Sequence, residues 1–309
     1  MPTVARLSGV GTFLAYEFDE ISDSKVSVSG MGTVFAYEFD ENVGVAVTLT
    51  GSTRMRYLPT VGIGTTVVVF DSINEIDPFG DFPTEGLQVY FDSGISTSYS
   101  GSGTTWNDIS GNGRNGTLTN GPTYSSSNGG IINLDGINQY VTISGYKGIT
   151  GTSARTSIIW FKTSLPNISP RLFGWGNTTT GQKWNISLDA TTYKLRAEIA
   201  GAAVLSGSTT KDLTDQTWHM VASSVPANGT ANDIKIYIDG DIVTDFTVTN
   251  GTTAVNTASG SDVSFGASLA DATPLYLNGS ISQFLIYNRQ LSDLEIKIIY
   301  RSILNRYYT

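Results

Sequence analysis

The sequence predicts an all-β fold in which a β-sandwich of the jelly-roll type is preceded by a small β-repeat module and followed by one short C-terminal helix. Three observations support this fold class: short β-type runs ended by Gly, Asn or Asp, a repeat near the N-terminus, and a helix-capping sequence near the C-terminus. With 309 residues and 34 glycines, the chain is long enough for two modules and rich in turn residues.

The N-terminal module is built from a repeated segment. The sequence GVGTFLAYEFDE of residues 9–20 recurs as GMGTVFAYEFDE at residues 30–41, with a period of 21 residues, and a third, less similar copy begins at Gly62. We expect each Gly-x-Gly to form a turn and the run after it to form a strand. Repetition of this kind is typical of stacked units of supersecondary structure.

The predicted repeat strand has two different faces. Tyr16 and Phe18 alternate with Glu17 and Asp19, so one face is apolar and the other is acidic. A unit this small cannot bury an apolar face alone. Residues 1–76 are therefore predicted to be an acidic β-repeat module that anchors the protein to further copies or to a larger assembly. The alternative is a small independent β-domain with solvated acidic side chains.

Negative charge is concentrated at the N-terminal end. Residues 1–86 contain twelve acidic and four basic side chains, a net charge of −8, whereas the remaining residues contain 15 acidic and 14 basic side chains, a net charge of −1. No basic surface is available for phosphate groups, so we expect no nucleic-acid partner. The sequence has no apolar run of the ~20 residues that span a bilayer, so no membrane insertion is expected.

A linker is predicted at residues 77–83, DPFGDFP. Its two prolines lack a donor N–H, and its glycine is conformationally permissive. The sandwich is then predicted to occupy residues 84–309. After early strands around Phe91, Val141 and Ile159, later strands are predicted at residues 184–188, 193–199, 218–223, 234–238, 263–265 and 281–287.

A capping box predicts the start of the C-terminal helix. In the sequence SDLE, the Ser292 hydroxyl can accept a hydrogen bond from the third helical N–H, while Glu295 reaches back to the N–H of Ser292. We expect Leu294, Ile298 and Ile299 to form the apolar stripe that packs on the sandwich.

Several segments of residues 84–309 together resemble the laminin-G-like branch of the concanavalin A-like jelly rolls. In chain order they are GLQVYFDSG, TTWNDISGNGRNGTL, INLDGINQYVTI, TSIIWFKT, TWHMVASS, IKIYIDG and LNGSISQFLIYNRQLSDLEI. The run from Tyr287 to Ile296 is similar to the closing strand and short helix of that family. The resemblance implies a sandwich that serves lectins, adhesins, glycosidases and inert spacers alike, so it indicates the fold and not the activity.

The resemblance also implies a surface calcium site, since this fold often binds calcium at a sandwich edge through a carboxylate, an amide oxygen and backbone carbonyls. The candidate ligands are Asp135 and Asn138, with Asp108 as a further candidate. Calcium is the one cofactor expected. The alternative is that Asp135 and Asn138 form a turn, because both residue types bond their own backbone.

Four residues are candidates for binding a glycan. Trp175 and Asn177 belong to a polar hairpin tip, and Trp106 and Tyr99 belong to a loop rich in Gly and Ser. An aromatic ring rimmed by amides and hydroxyls is typical of sugar sites. Trp184 lies in a cleanly alternating run and is assigned to the core instead.

No catalytic constellation is visible in the sequence, and we expect no enzyme activity. EIDPFG at residues 75–80 mimics the paired-carboxylate motif of laminarinase-like glycosidases but lacks the last carboxylate and is interrupted by Pro78. GNGRNG at residues 111–116 matches a dinucleotide-binding pattern, but no helix can follow it. The single histidine, His219, is expected to have a hydrogen-bonded structural role. Without cysteine, disulfides and thiolate metal sites are excluded.

These features lead to a hypothesis of function. A lectin-like sandwich without cysteine or a signal peptide, preceded by an acidic Gly-x-Gly-Thr repeat, resembles structural proteins of tailed bacteriophages: head decorations, fibres and tail-associated adhesins. The expected localisation is the virion, with release by lysis. Residues 1–76 would contact other virion proteins, the sandwich would face a cell-surface glycan, and a homo-oligomer or many copies on one particle are expected. The alternatives are a secreted carbohydrate-binding protein and, third, a glycoside hydrolase.

Overall fold

The computed structural model divides the chain into two compact units, Met1–Asp77 and Pro78–Thr309. It describes residues 83–164, 169–189, 191–207 and 211–307, and in the first unit it describes the backbone of five strands. The linker predicted at residues 77–83 lies, except for Pro83, outside the described residues.

The first unit contains a parallel sheet. Its strands are β1 Val4–Ala15, β2 Lys25–Ala36, β3 Ala46–Thr50, β4 Thr53–Tyr57 and β5 Val68–Phe70. β1, β3 and β4 each pair with β2, and β5 pairs with β3. Gly9 lies opposite Gly30 and Gly11 lies opposite Gly32, so the pairing register of β1 with β2 follows the sequence repeat. Equivalent positions of successive repeats are therefore stacked on one another.

The turn expected at the first two Gly-x-Gly segments is wrong, and the third, which begins at Gly62, lies outside the described residues. Gly9 and Gly11 lie within β1, and Gly30 and Gly32 lie within β2. Glycine weakens a strand, but pairing with an equivalent segment over 12 residues supplies a hydrogen-bond ladder that outweighs this local preference. The alternating residues 16–19 lie outside the described part of the chain.

The second unit is a sandwich of two antiparallel sheets, which confirms the predicted fold class. Its strands, in chain order, are β6 Leu87–Asp92, β7 Thr105–Trp106, β8 Gly116–Thr119, β9 Thr123–Ser125, β10 Ile131–Asp135, β11 Tyr140–Ile143, β12 Arg155–Thr163, β13 Arg171–Gly176, β14 Lys183–Leu188, β15 Leu195–Glu198, β16 Ala203–Ser206, β17 His219–Val225, β18 Lys235–Ile238, β19 Asp241–Ile242, β20 Phe246–Thr249, β21 Ser261–Phe265 and β22 Asn278–Tyr287. All six of the later strands that the sequence predicts are present.

One sheet has eight strands and the other has nine. The eight-stranded sheet has the order β19-β18-β17-β12-β22-β10-β9, with β6 also paired to β22. The nine-stranded sheet has the order β20-β16-β15-β14-β13-β21-β11-β8-β7. The main core lies between the sheets, where Phe265 of one sheet packs on Phe284 of the other with ring centroids 4.5 Å apart. Phe91 and Trp106 extend this aromatic contact.

The outer face of the eight-stranded sheet carries a second apolar layer. It is covered by the helix α1, Asp293–Ile303, and the 3-10 turn after it, Leu304–Arg306. The Trp160 ring stacks on Tyr300 at 5.4 Å and on Tyr307 at 4.6 Å, and Tyr307 also stacks on Trp218 at 4.8 Å. Among the described helices, none has the length and hydropathy needed to cross a bilayer.

The start of α1 is as predicted, and its buried stripe is as predicted at Ile299 but not at Leu294. Ser292 and Glu295 form the capping box, which is confirmed. Leu294, however, is 45 % exposed, and the buried residues of the helix are Ile296 and Ile299. Leu291 is buried ahead of the cap, so the staple between it and Ile296 rotates that turn of the helix towards the sheet. Leu294 then points away from the sheet, half a turn from Ile296.

The end of the chain is fixed by a buried ion pair. The Arg306 guanidinium lies 2.6 Å from the buried carboxylate of Asp92 and donates hydrogen bonds to the carbonyls of Asn128 and Gly130. A Cβ atom on Gly94 would lie 2.1 Å from Nη2 of Arg306, so only glycine leaves room for the guanidinium there. Since Tyr307 follows Arg306, this contact holds the Tyr307 ring against the two tryptophans.

Two alanine variants test which face of α1 packs on the sheet. Ile299→Ala is expected to lower the free energy of unfolding by about 2–4 kcal/mol, because it opens a cavity in the second apolar layer. Leu294→Ala is expected to change it by less than about 0.5 kcal/mol, because the side chain is half exposed. Urea unfolding followed by tryptophan fluorescence measures the difference, since all five tryptophans lie in the sandwich. An equal loss of unfolding free energy in the two variants would show that α1 packs on the sheet through a different face.

Candidate functional site

The outer face of the nine-stranded sheet is polar. Along β14, the side chains of Trp184, Ile186 and Leu188 enter the main core, whereas the intervening Lys183, Asn185 and Ser187 lie on the opposite face. The neighbouring strand β15 alternates in the same way. The register places Asn185 opposite Glu198 and Ser187 opposite Arg196. We call this surface the polar face; it comprises Arg171, Lys183, Asn185, Ser187, Arg196 and Glu198.

A loop crosses the polar face and is held there by an ion network. This loop, residues 267–276, connects β21 of one sheet to β22 of the other, and we call it the strap. Its Asp271 carboxylate lies 2.6 Å from Nε of Arg171 and 2.8 Å from Nζ of Lys183. Lys183 also lies 2.5 Å from the Glu198 carboxylate. The buried Lys183 ammonium thus joins a carboxylate of the sheet to a carboxylate of the strap.

The charges of this network agree with its geometry. Burial of Asp271 favours its neutral form, but the hydrogen bonds and charges of Arg171 and Lys183 outweigh burial and hold the pKa of Asp271 below its ordinary value. Close packing of the strap also requires Gly174, because a Cβ atom there would lie 2.4 Å from Oγ of Ser268.

A shallow groove lies at the end of the polar face, over β15, β16 and β20. It has a volume of about 250 Å³ and is lined by Arg196, Gly201, Ala202, Ala203, Leu205, Thr247 and Thr249. The pairing of β16 with β20 places Thr247 opposite Leu205 and Thr249 opposite Ala203. The groove therefore combines small apolar side chains, two exposed threonines and one guanidinium, which suits a small ligand with hydroxyl groups.

Four buried polar atoms of this region have no hydrogen-bond partner in the part of the chain that the structure describes. They are Oδ1 of Asn185, Oγ of Ser187, Nε of Arg196 and Oγ of Ser268. Buried polar groups are nearly always paired, so such a group commonly marks a place where water or a ligand supplies the partner. Three of the four belong to the polar face and the fourth to the strap above it.

The fold of this unit has known relatives. Residues 135–297, slightly more than half of the chain, match the model of the concanavalin A-like lectin/glucanases superfamily. The protein belongs to this superfamily. No curated protein sequence matches the chain.

Solved structures with low sequence identity share this concanavalin A-like fold. A sialidase of Trypanosoma rangeli in complex with sialic acid has 17 % identity and a TM-score of 0.51, over 74 % of this chain and 34 % of the sialidase. The binding domain of Paraclostridial Mosquitocidal Protein 1 has 18 % identity and a TM-score of 0.50, over 72 % of this chain and 53 % of that one. Domain 4 of an extracellular arabinanase of Geobacillus stearothermophilus, in complex with arabinotriose, has 20 % identity and a TM-score of 0.50, over 69 % of this chain and 98 % of that domain. The chain thus spans about a third of the sialidase and about half of the mosquitocidal chain.

The aromatic residues predicted to bind a glycan lie inside the concanavalin A-like sandwich. Trp175 is fully buried, so its expected exposure is wrong. It lies directly opposite Trp184 in the pairing of β13 with β14, which turns both rings into the main core and confirms the assignment of Trp184. A Cβ atom on Gly148 would lie 2.5 Å from the Trp175 ring, so backbone covers that ring on its other side.

The remaining candidates for glycan binding have local structural roles. Trp106 and Tyr99 are buried in the core, and their polar atoms donate hydrogen bonds to Oγ of Ser98 and to the carbonyl of Gly103. Their expected exposure is also wrong, because burial of large aromatic surface outweighs the polar character of the surrounding loop. The Asn177 side chain closes its hairpin, where it accepts a hydrogen bond from the N–H of Thr179.

The residues predicted to bind calcium organise turns. Oδ1 of Asp135 accepts hydrogen bonds from the N–H groups of Ile137 and Asn138, which is the turn alternative left open by the sequence. The Asp108 carboxylate accepts hydrogen bonds from three backbone N–H groups, those of Tyr90, Ser110 and Arg114. Within the described part of the chain, no three His, Cys, Asp or Glu residues are grouped as metal ligands.

His219 has the hydrogen-bonded position that the sequence predicts. It is buried, with Nδ1 3.0 Å from Asp239 and Nε2 3.2 Å from Asp215, and Lys211 lies 3.0 Å from Asp239. Burial disfavours the charged imidazolium, but the hydrogen bonds and charges of Asp239 and Asp215 outweigh burial and raise the pKa of His219 above its ordinary value. The imidazolium links the start of β17 to the turn after β18.

Titration of His219 is expected to make the stability of the sandwich depend on pH. Because the pKa is higher in the folded state, the stabilisation is fully present below about pH 6.5, the ordinary value, and is lost as pH rises through the raised pKa. His219→Gln is expected to remove this dependence. Melting temperatures of the two proteins, measured between about pH 6 and pH 9, should converge with increasing pH. A gap between them that widens with pH would contradict the assignment.

Proposed function

We propose that this protein is a non-catalytic glycan-binding protein and that its concanavalin A-like sandwich binds carbohydrate in the groove beside Arg196. The observation on which the proposal rests is the composition of the groove: apolar side chains at Ala203 and Leu205, hydroxyls at Thr247 and Thr249, and one guanidinium. Sugars present apolar C–H faces and many hydroxyls, so they are matched by small apolar contacts together with polar groups that fix their orientation.

The structural relatives support this class of ligand. The arabinanase domain, almost all of which is matched by this chain, was solved with arabinotriose bound, and the mosquitocidal relative is a binding domain. The likeness is one of fold. The observations that support the location of the site are the groove of this chain and the buried Nε of Arg196 in its lining, which lacks a hydrogen-bond partner among the described residues.

The charges around the groove favour binding over hydrolysis. A glycosidase needs two carboxyl groups that flank the scissile bond. None of the described residues that line the groove is a carboxylate. The nearest carboxylate of the polar face, Glu198, is occupied by its 2.5 Å contact with Lys183.

We further propose that residues 1–76 attach the sandwich to a virion of a tailed bacteriophage, in several copies. The parallel register supports an assembly role, since strands stacked at the repeat period leave the 12-residue β1 at the edge of the described sheet. A free strand edge can pair with a further strand. The acidic repeat sequence, which resembles phage structural proteins, supports the choice of a phage particle.

Loss of the groove hydroxyls is expected to weaken glycan binding. Thr247→Val combined with Thr249→Val keeps the shape of the side chains but removes both hydroxyls, and a loss of about tenfold or more in affinity is expected for the glycans that the full chain selects on an array. Thr117→Val is the matched control, because Thr117 is exposed on β8 near the other end of the same sheet. An affinity that stays equal in all three proteins would place the site elsewhere.

Attachment to a particle can be tested separately. A lysate that contains the protein is fractionated on a density gradient, and the particle fractions are probed with an antibody raised against residues 84–309. We expect the antibody to label the surface of intact particles at regular positions in negative-stain images. Recovery of the protein only in the soluble fractions, away from the particles, would contradict the virion role and leave the glycan-binding proposal in place.

A further inference from the structure

The polar face has more positive than negative charge. It contains three cations, Arg171, Lys183 and Arg196, whereas the carboxylates within reach are Glu198 and Asp271. Asp271 contacts both Arg171 and Lys183, and Glu198 contacts both Lys183 and Arg196. These ion pairs therefore join three cations to two carboxylates.

Arg196 has the longest ion pair of the three cations. Its Nη2 lies 3.3 Å from Oε2 of Glu198, whereas Lys183 lies 2.5 Å from Oε1 of the same carboxylate and also contacts Asp271. Nε of Arg196 is buried and has no hydrogen-bond partner among the described residues. The Arg196 side chain is also the most exposed of the three cations, at 38 % against 16 % for Arg171 and 5 % for Lys183.

Arg196 lines the groove, and its charge is not opposed there. The other described lining residues are Gly201, two alanines, Leu205 and two threonines, all of them uncharged. A guanidinium binds a carboxylate with two parallel N–H···O bonds, and such bonds are stronger than those between neutral groups. A negative group that enters the groove would therefore meet a donor that lacks a strong partner and would meet no carboxylate in the lining.

We propose that the groove is selective for acidic glycans, with the carboxylate of a uronic or sialic acid on Arg196 and sugar hydroxyls on Thr247 and Thr249. This inference rests on the proposed glycan-binding function and names the class of glycan. Arg196 would then be the residue that determines specificity, while the threonines contribute to binding of charged and neutral sugars alike.

The test is an array of neutral, uronate-containing and sialylated glycans probed with the full chain, followed by calorimetry. Each acidic glycan that binds is compared with its methyl ester, which keeps the sugar but removes the charge. We expect the acid to bind about tenfold or more tightly than the ester. The preference should decrease at high salt, because the groove is open to solvent.

Three variants identify the residue responsible. Arg196→Gln is expected to bind acid and ester equally, and Arg196→Lys is expected to restore part of the preference. Arg301→Gln is the matched control, because this exposed arginine lies on α1 and outside the groove. Tryptophan fluorescence melting of each variant checks that the sandwich is folded.

The outcomes distinguish the two proposals. Equal affinity of acid and ester in the unmodified protein, or a preference that survives Arg196→Gln, would overturn the acidic specificity while glycan binding stands. Binding of neutral glycans alone would also overturn the acidic specificity and leave the glycan-binding proposal in place. An array without any bound glycan would overturn both the proposed function and the specificity.

Discussion

The arrangement of this sandwich depends on the burial of an apolar sheet face. The outer face of the eight-stranded sheet is apolar and includes the rings of Trp160 and Trp218. Globular proteins rarely leave an apolar face of this size exposed to water. The C-terminal helix provides the cover, and Tyr307 stacks on both tryptophans at its end. The Arg306–Asp92 ion pair fixes that end of the chain. Because this layer is filled by the chain itself, the outer face of the other sheet is the one that offers polar groups to a ligand.

The polar face in turn depends on a buried cation. An ammonium that is nearly inaccessible to water is costly unless it is paired, and Lys183 has two carboxylate partners, one on the sheet and one on the strap. This network is weak evidence for stability, since desolvation offsets much of its attraction. Its effect is geometric: it fixes the strap over β13 and β14 and leaves β15, β16 and β20 open as the groove. The proposed binding site lies on the strands that this ion network does not cover.

The fold was predictable from the sequence to a greater degree than the site. Alternation of apolar residues and turn-forming residues predicts the strands, and the capping box predicts the start of α1, because both signals are local. The run from Lys183 to Leu188 shows the same alternation, and it contains the signal for the polar face. Its alternate polar residues predict a polar surface as directly as its alternate apolar residues predict the core. The strap could not have been predicted, because Asp271 lies 88 residues from its partner Lys183.

Burial of the aromatic residues could not be predicted from local composition. Trp175 and Trp106 lie next to loops of Gly, Ser and Thr, and such surroundings are equally typical of a sugar site and of a strand that ends at the rim of a sandwich. The cross-strand pairing of Trp175 with Trp184 decides between the two, and pairing register is a tertiary property. For the same reason, the sequence repeat indicates stacking in the first unit but not the parallel register with glycine inside the strands.

We propose that carbohydrate binds on the outer face of the nine-stranded sheet and not on the face covered by α1. Methyl NMR spectra of the full chain, labelled at alanine and leucine and titrated with a glycan to which it binds, distinguish the two faces. We expect shifts at the methyl groups of Ala203 and Leu205, in the groove, with those of Leu294 on α1 unchanged. Shifts that cluster around α1 and leave the groove unchanged would contradict it.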